Sequence, residues 1–250
     1  MSQFDALGDA YEQSVNMPYR EYSEHPSMRE AVGDVTGLAV LDLGCGTGVY
    51  TRRFARWGAA RVVGVDVSDG MLAAARAREQ EQPLGNVEYL KRAATHPDPH
   101  GDPVLDGQFD LVSSVYVLCY AATPEELLGF FTTARRALSP AGKRFVATTL
   151  NPEYSRDPEH YSPYDLTLTP TVEGEGAPVT LDVRSPGGGI HATAYWWSQE
   201  MNENCAMKAG FTNVTWTSPT ISAEGLARFG SQFWDAYLTP PPTLILTATV

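Results

Sequence analysis

The run Val40-Leu41-Asp42-Leu43-Gly44-Cys45-Gly46-Thr47-Gly48 constrains this chain more than any other segment. Val40 to Leu43 read as the end of a buried β-strand, and Val49 to Trp57 as a helix. Three glycines at alternate positions turn the chain between them, because glycine takes positive φ readily and lets a ligand approach the backbone. The unpaired N–H groups at the helix start then offer hydrogen bonds and a partial positive charge. Strand, glycine turn and helix N-terminus together make a ligand cradle. Dinucleotide cradles are spaced G-x-G-x-x-G, against a pyrophosphate. Here the order is D-x-G-x-G-x-G, with Asp42 two residues before the first glycine.

The next segments extend the pattern. Val62-Val63-Gly64-Val65-Asp66 reads as a second buried strand ending in an acid. An acid about 20 residues past the glycine turn is placed to grip a ribose diol. Ser68 and Asp69 can cap a helix over Ser68 to Glu79, whose apolar face carries Met71, Leu72 and Ala75. Val87 to Leu90 and Gln108 to Ser114 read as third and fourth strands, and Leu127 to Leu138 as a helix. Ser139-Pro140-Ala141-Gly142-Lys143 then turns into a fifth strand at Arg144-Phe145-Val146. Strands alternating with helices predict a parallel α/β sheet.

The glycine run, Asp66, the Phe109-Asp110-Leu111-Val112 strand and the Leu138-Ser139-Pro140-Ala141-Gly142 turn resemble the class I S-adenosylmethionine (SAM) methyltransferases. The resemblance covers residues 38–150 and resumes at Ala209-Gly210-Phe211 and at a terminal strand, Thr243 to Thr249. It implies an α/β fold: a Rossmann-like, seven-stranded, mostly parallel sheet with helices on both faces, plus a small β-rich substrate insertion, in one domain over residues 1–250. It implies S-adenosyl-L-methionine as cofactor. Asp42, Gly44, Gly46 and Gly48 would form its cradle, with Asp66 and Val67 at the ribose. Met71 would pack on adenine, and Val115 would close the end of strand four. The family often carries an Asp after strand three that reads the adenine amino group. Here Ala93 and Ala94 occupy that stretch, so backbone groups would serve instead.

Two segments outside this core are expected to set specificity. In residues 1–37, Tyr11, Tyr19, Arg20 and Tyr22 lie among short predicted helices. Many small-molecule methyltransferases fold such a segment over the cofactor. Arg20 would then pair with the cofactor carboxylate, since a guanidinium supplies a bidentate contact, with Tyr11 and Tyr19 beside it. Residues 151–191 are rich in Pro, Gly and Tyr. Leu166 to Val172 and Val179 to Arg184 read as a hairpin. The family commonly places substrate-binding insertions here, and His160, Tyr161 and Tyr164 would line a mostly apolar pocket. Ala192 to Trp197 read as a strand with Tyr195 and Trp197 on one face, also assigned to the acceptor, as is Tyr116. Ser198 caps a following helix that runs to Gly210. The aromatic tail Phe229 to Leu238, with Tyr116 to Tyr120 and Pro18-Tyr19-Arg20, is similar to the toxoflavin-type (azapteridine) N-methyltransferases of bacterial natural-product biosynthesis.

Composition bounds the rest. At 250 residues and 43% hydrophobic, the chain suits one α/β domain. A formal charge of −12 with scattered arginines disfavours nucleic acid. No apolar stretch spans a bilayer, and Met1 to Asp5 do not start a signal peptide. No membrane partner is expected, and a cytoplasmic setting is. Cys45, Cys119 and Cys205 have neither metal nor disulfide spacing. The expected chemistry is in-line transfer of a methyl group to a small-molecule acceptor. His160, His191 and Tyr164 are candidate bases, none of them singled out. An NAD(P)-dependent Rossmann oxidoreductase and a non-catalytic SAM-binding protein are the alternatives. The acceptor and the oligomeric state stay open.

Overall fold

The computed structural model describes residues 2–142, 144–185 and 188–250. Lys143 of the predicted turn, and Pro186 and Gly187 of the predicted insertion, lie outside the described residues.

Ten strands are described: β1 Ala39–Leu43, β2 Arg61–Asp66, β3 Val87–Lys91, β4 Leu111–Val115, β5 Arg144–Leu150, β6 Leu166–Pro170, β7 Ala177–Val183, β8 Ile190–Trp196, β9 Asn213–Thr217 and β10 Thr243–Thr249. Seven form one sheet in the order β3-β2-β1-β4-β5-β10-β9. Only β10 runs against its neighbours, pairing antiparallel with both β5 and β9. The order reverses at β1, which lies between β2 and β4. Such a switch point leaves a crevice beyond the strands' carboxyl ends.

The pleat explains why both faces are covered. Leu41, Val63, Val112, Phe145 and Leu246 fall in one apolar cluster. Their sequence neighbours Val40, Val62, Leu111, Val146 and Ile245 fall in another. Successive side chains point to opposite faces, so a strand apolar at every position needs a layer on each side. Helices α2 (His25–Val32) and α3 (Val49–Arg56) cover one face through Met28, Val32 and Phe54. Helices α5 (Pro124–Ala137) and α6 (Gln199–Ala209) cover the other through Phe131, Ala134 and Ala206. The caps are those expected of these sequences. Ser68 Oγ accepts from the Met71 N–H at the start of α4 (Asp69–Glu81), and Ser198 Oγ accepts from the Met201 N–H at the start of α6.

Several boundaries differ from expectation. The fourth strand begins at Leu111 rather than Gln108, because the Gln108 and Phe109 N–H groups are drawn to the Ala137 carbonyl. Helix α5 begins three residues early, at Pro124, capped by Thr123. The tail Phe229 to Leu238 is built of short pieces. Helix α7 (Ala223–Phe229) stops at Gly230, whose φ is 78°, and a 3-10 turn at Gln232–Trp234 leads into α8 (Asp235–Leu238). The predicted hairpin is present and gains a third strand: β6, β7 and β8 form a separate antiparallel sheet. Among the described residues no helix is long and apolar enough to cross a membrane.

Candidate active site

The glycine turn sits at the carboxyl end of β1. The Gly44 and Cys45 N–H groups both donate to the Val65 carbonyl, at 2.8 and 2.9 Å, which binds the turn to the end of β2. Gly44 has φ 73°, and a Cβ there would lie 2.3 Å from the Val117 side chain. A Cβ on Gly46 would meet nothing within 4 Å, so that backbone is open to a ligand.

Asp66 is fastened by two backbone donors. The Gly46 N–H reaches one carboxylate oxygen and the Ser68 N–H the other, each at 2.8 Å. Each oxygen keeps a lone pair for a further donor. Burial raises this carboxyl above its usual range against those two bonds. Asp42 is buried beneath the turn and accepts from Thr51 Oγ1 at 2.6 Å, tying β1 to α3. Desolvation pushes its pKa up to about 7.

A cavity of about 1050 Å³ opens over the turn. Of the predicted cofactor residues, Gly44, Gly46, Asp66, Val67, Met71, Ala93, Ala94 and Val115 line it, with Tyr11 and Tyr116 at one end. Asp42 and Gly48 stand behind it as supports; a Cβ on Gly48 would strike the Tyr89 hydroxyl at 2.2 Å. Its cover is the start of the chain. The Phe4 ring packs edge-on against Tyr120 at 4.8 Å, and Asp5 accepts from Ser68 Oγ at 2.6 Å. The Gln3 side chain exchanges two hydrogen bonds with the Thr193 backbone on the open edge of β8. Nothing in the sequence distinguished Gln3 or Phe4, whose partners lie far along the chain.

A second cavity, about 550 Å³, meets the first at Tyr11, Tyr116 and Tyr120. Leu150, Leu166, Leu168, Leu181, Val183 and Ile190 wall it. Tyr19 and Arg20 belong to this cavity's lining rather than to the first. Arg20 opens a π-helical turn, Arg20–Glu24, a geometry found mostly as short bulges at functional sites. Its guanidinium carbon lies 5.7, 5.8 and 5.6 Å from the ring centroids of Tyr11, Tyr19 and Tyr116. It is buried, and among the described residues no carboxylate pairs with it. Tyr116 has a left-handed φ of 58° and donates to buried Glu24 at 2.6 Å; Tyr50 donates to the same carboxylate at 3.1 Å.

The predicted acceptor residues of the insertion lie elsewhere. The Tyr161 hydroxyl donates to the Pro240 carbonyl at 2.8 Å and accepts from the Ser155 N–H at 3.0 Å. The Tyr164 hydroxyl bonds the Phe233 carbonyl and the Tyr237 N–H, and its ring packs against Phe233, Trp234 and Tyr237. His160 lies edge-on to Tyr161. The two tyrosines hold the tail to the insertion, their hydroxyls taken by backbone groups, and none of the three residues lines either cavity. Tyr195 and Trp197, the latter just past the end of β8, do point to one side, but it is the side packed on the main core, with Trp197 Nε1 donating to the Ala121 carbonyl. Ile190 and Ala194, on the alternate face, reach the chamber. The signal was in the sequence: Leu166/Leu168, Leu181/Val183 and Ile190/Ala192/Ala194 alternate with polar residues.

The profile for a methyltransferase domain matches residues 40–142. Over 230 residues the chain is 25% identical to the ubiquinone/menaquinone biosynthesis C-methyltransferase UbiE of Shewanella sp. (strain ANA-3), covering 91% of this chain and 85% of that protein. A shorter match, 34% over 123 residues, covers 48% of this chain and 46% of the demethylmenaquinone methyltransferase of Lactococcus lactis subsp. lactis. The S-adenosylmethionine-dependent methyltransferase structure from Mesorhizobium loti superposes with a TM-score of 0.61 at 25% identity, covering 94% of this chain and 99% of that one. Sheet order and glycine cradle together define a Rossmann-like methyltransferase. The methyltransferase-domain match and the SAM-dependent methyltransferase structure support a class I SAM-dependent methyltransferase, with S-adenosyl-L-methionine as its cofactor.

Proposed function

We propose that this enzyme methylates a small molecule held in the aliphatic chamber beside the cofactor cavity, as a step in small-molecule or natural-product biosynthesis. The observation that carries this reading is the shared wall: Tyr11, Tyr116 and Tyr120 border both cavities. A donor in one and an acceptor in the other would meet there. Relatives named as quinone-biosynthesis methyltransferases support an acceptor of ring-compound size.

The donor's sulfonium methyl is already electrophilic, so the protein's share is chiefly alignment and exclusion of water. In this reading Asp66 takes the ribose hydroxyls on its two free lone pairs. Val67, Met71, Ala93 and Ala94 form the slot for the adenine. Gly44 and Gly46 bring backbone close to the amino-acid end, with Asp42 and Gly48 holding the turn and Val115 flanking it. Arg20, in the wall of the second cavity beside Tyr11, Tyr19 and Tyr116, reaches the cofactor carboxylate across the junction. The insertion of residues 151–191 gives the acceptor its wall, and residues 1–37 the cover.

Calorimetry tests the first half. SAM and S-adenosylhomocysteine should bind, and NAD should not; tight NAD binding without SAM binding would overturn the reading. Transfer of labelled methyl from SAM to a panel of demethylquinols and aromatic heterocycles tests the second half.

A further inference from the structure

The proposed chamber has a chemistry specific enough to describe its occupant. Resting on the cofactor and acceptor division just proposed, we infer that the acceptor is an uncharged aromatic compound that presents one hydroxyl group to the Tyr11–Tyr120 pair.

The charge argument comes first. Arg20 is the one formally charged side chain among those lining the chamber, and the cofactor carboxylate completes it. A second anion would then lie against Leu150, Leu166, Leu168 and Leu181 with no cation of its own, and an unpaired buried charge is costly. A cationic acceptor would meet Arg20 without a carboxylate on the chamber wall. The insertion's charges point away: His191 and Asp182 pair on the exposed side of the sheet, as do Arg184 and Asp165.

The polar end is equally specific. Tyr116 spends its proton on Glu24. The Tyr19 hydroxyl faces the Arg20 Nε at 3.4 Å. Of the three tyrosines that border both cavities, Tyr11 and Tyr120 have no carboxylate partner, and their hydroxyls lie 3.4 Å apart, with either able to donate. When one donates to the other, the pair keeps one free proton and free lone pairs. A carbonyl would use only the proton. A hydroxyl uses both, accepting from one tyrosine and donating to the other. The pair stands at the junction with the cofactor cavity, so the ring carrying that hydroxyl is held with its oxygenated end toward the methyl donor.

Three probes on one ring system test this: 2-naphthol, 2-naphthoate and naphthalene, titrated by fluorescence into protein saturated with S-adenosylhomocysteine. We expect 2-naphthol to bind at least tenfold tighter than 2-naphthoate. Tyr120→Phe should weaken 2-naphthol about two- to tenfold, the range for one net hydrogen bond, and leave naphthalene unchanged. Leu168→Asp should weaken 2-naphthol and naphthalene at least tenfold, with S-adenosylhomocysteine affinity kept within twofold. Equal or tighter 2-naphthoate binding would overturn the inference and assign Arg20 to the acceptor. Indifference of 2-naphthol to Tyr120→Phe, or no probe binding to the loaded protein, would also overturn it. Affinity for S-adenosylhomocysteine is measured first. Its absence would bring down the cofactor reading itself, a result distinct from the others, and with it the division of the cavities.

Discussion

Asp66 shows how one side chain serves structure and binding together. Its two oxygens already hold the Gly46 and Ser68 N–H groups, so the glycine turn and the start of α4 are set at fixed distance by one carboxylate. Asp66→Asn keeps one acceptor oxygen and replaces the other with a donor that faces an N–H. We expect it to lose about 1.5–3 kcal/mol of SAM binding, the range for a hydrogen bond to a charged group, or roughly ten- to hundredfold in affinity. Circular dichroism should remain that of the parent. An unchanged SAM affinity by calorimetry would reduce Asp66 to a fastener of the turn. Gly44 makes a sharper case. Any side chain there meets both a left-handed φ and the Val117 methyl groups at 2.3 Å. Gly44→Ala should cost both stability and SAM affinity, by at least 1–3 kcal/mol from overpacking alone.

At the scale of elements, legibility followed locality. The cradle, the acid that follows it and the caps at Ser68 and Ser198 are written in short contiguous runs, because each works through neighbours a few residues away. The strands were readable for the same reason: a doubly covered strand must be apolar at every position, and Val62 to Val65 is. The chamber was not readable in this way. Tyrosines and His160 stood out in the insertion as polar tips suited to a ligand. The partners of Tyr161 and Tyr164, namely Pro240, Phe233 and Tyr237, lie about 70–80 residues away, and no local pattern announces them. The N-terminal cover depends on another distant contact. Gly70, in the first turn of α4, has the Asp5 carbonyl where its Cβ would be, 2.0 Å away. Gly70→Ala should therefore lift residues 2–7 off α4. Amide exchange in that segment should rise, and SAM affinity should fall about threefold to tenfold as Phe4 leaves the cavity. The thermal midpoint should move little, because an end segment contributes little to global stability. Protection equal to the parent's would mean that the helix yields instead of the cover.

Over the whole molecule, two buried ionisable groups pull pH stability in opposite directions. Asp42 has its folded pKa raised to about 7 by desolvation, against roughly 3.9 in an unfolded chain. The folded state therefore holds the extra proton, and this group's contribution falls as pH rises from about 4 to about 7. His25 is buried in α2 beside Arg53, which donates to its Nδ1 at 2.7 Å. Desolvation, then Arg53, lowers its pKa from the usual 6.5 to about 2. Here the unfolded state binds the extra proton, so this group's contribution falls as pH drops below about 6.5. Between about pH 4 and 6.5 the two slopes oppose each other, each limited to about 1.4 kcal/mol per pH unit for one proton. Removing either group should unmask the other. Relative to the parent, Asp42→Asn should gain stability as pH rises across that window, and His25→Gln should gain stability as pH falls across it. Taking differences from the parent cancels the common titration of the surface carboxylates. Urea midpoints at half-unit intervals from pH 4.5 to 7.5 would show the two difference curves tilting with opposite sign. A flat difference curve would mean that its group keeps its ordinary proton affinity in the folded enzyme, through water reaching Asp42 beneath the turn or Arg53 swinging away from His25.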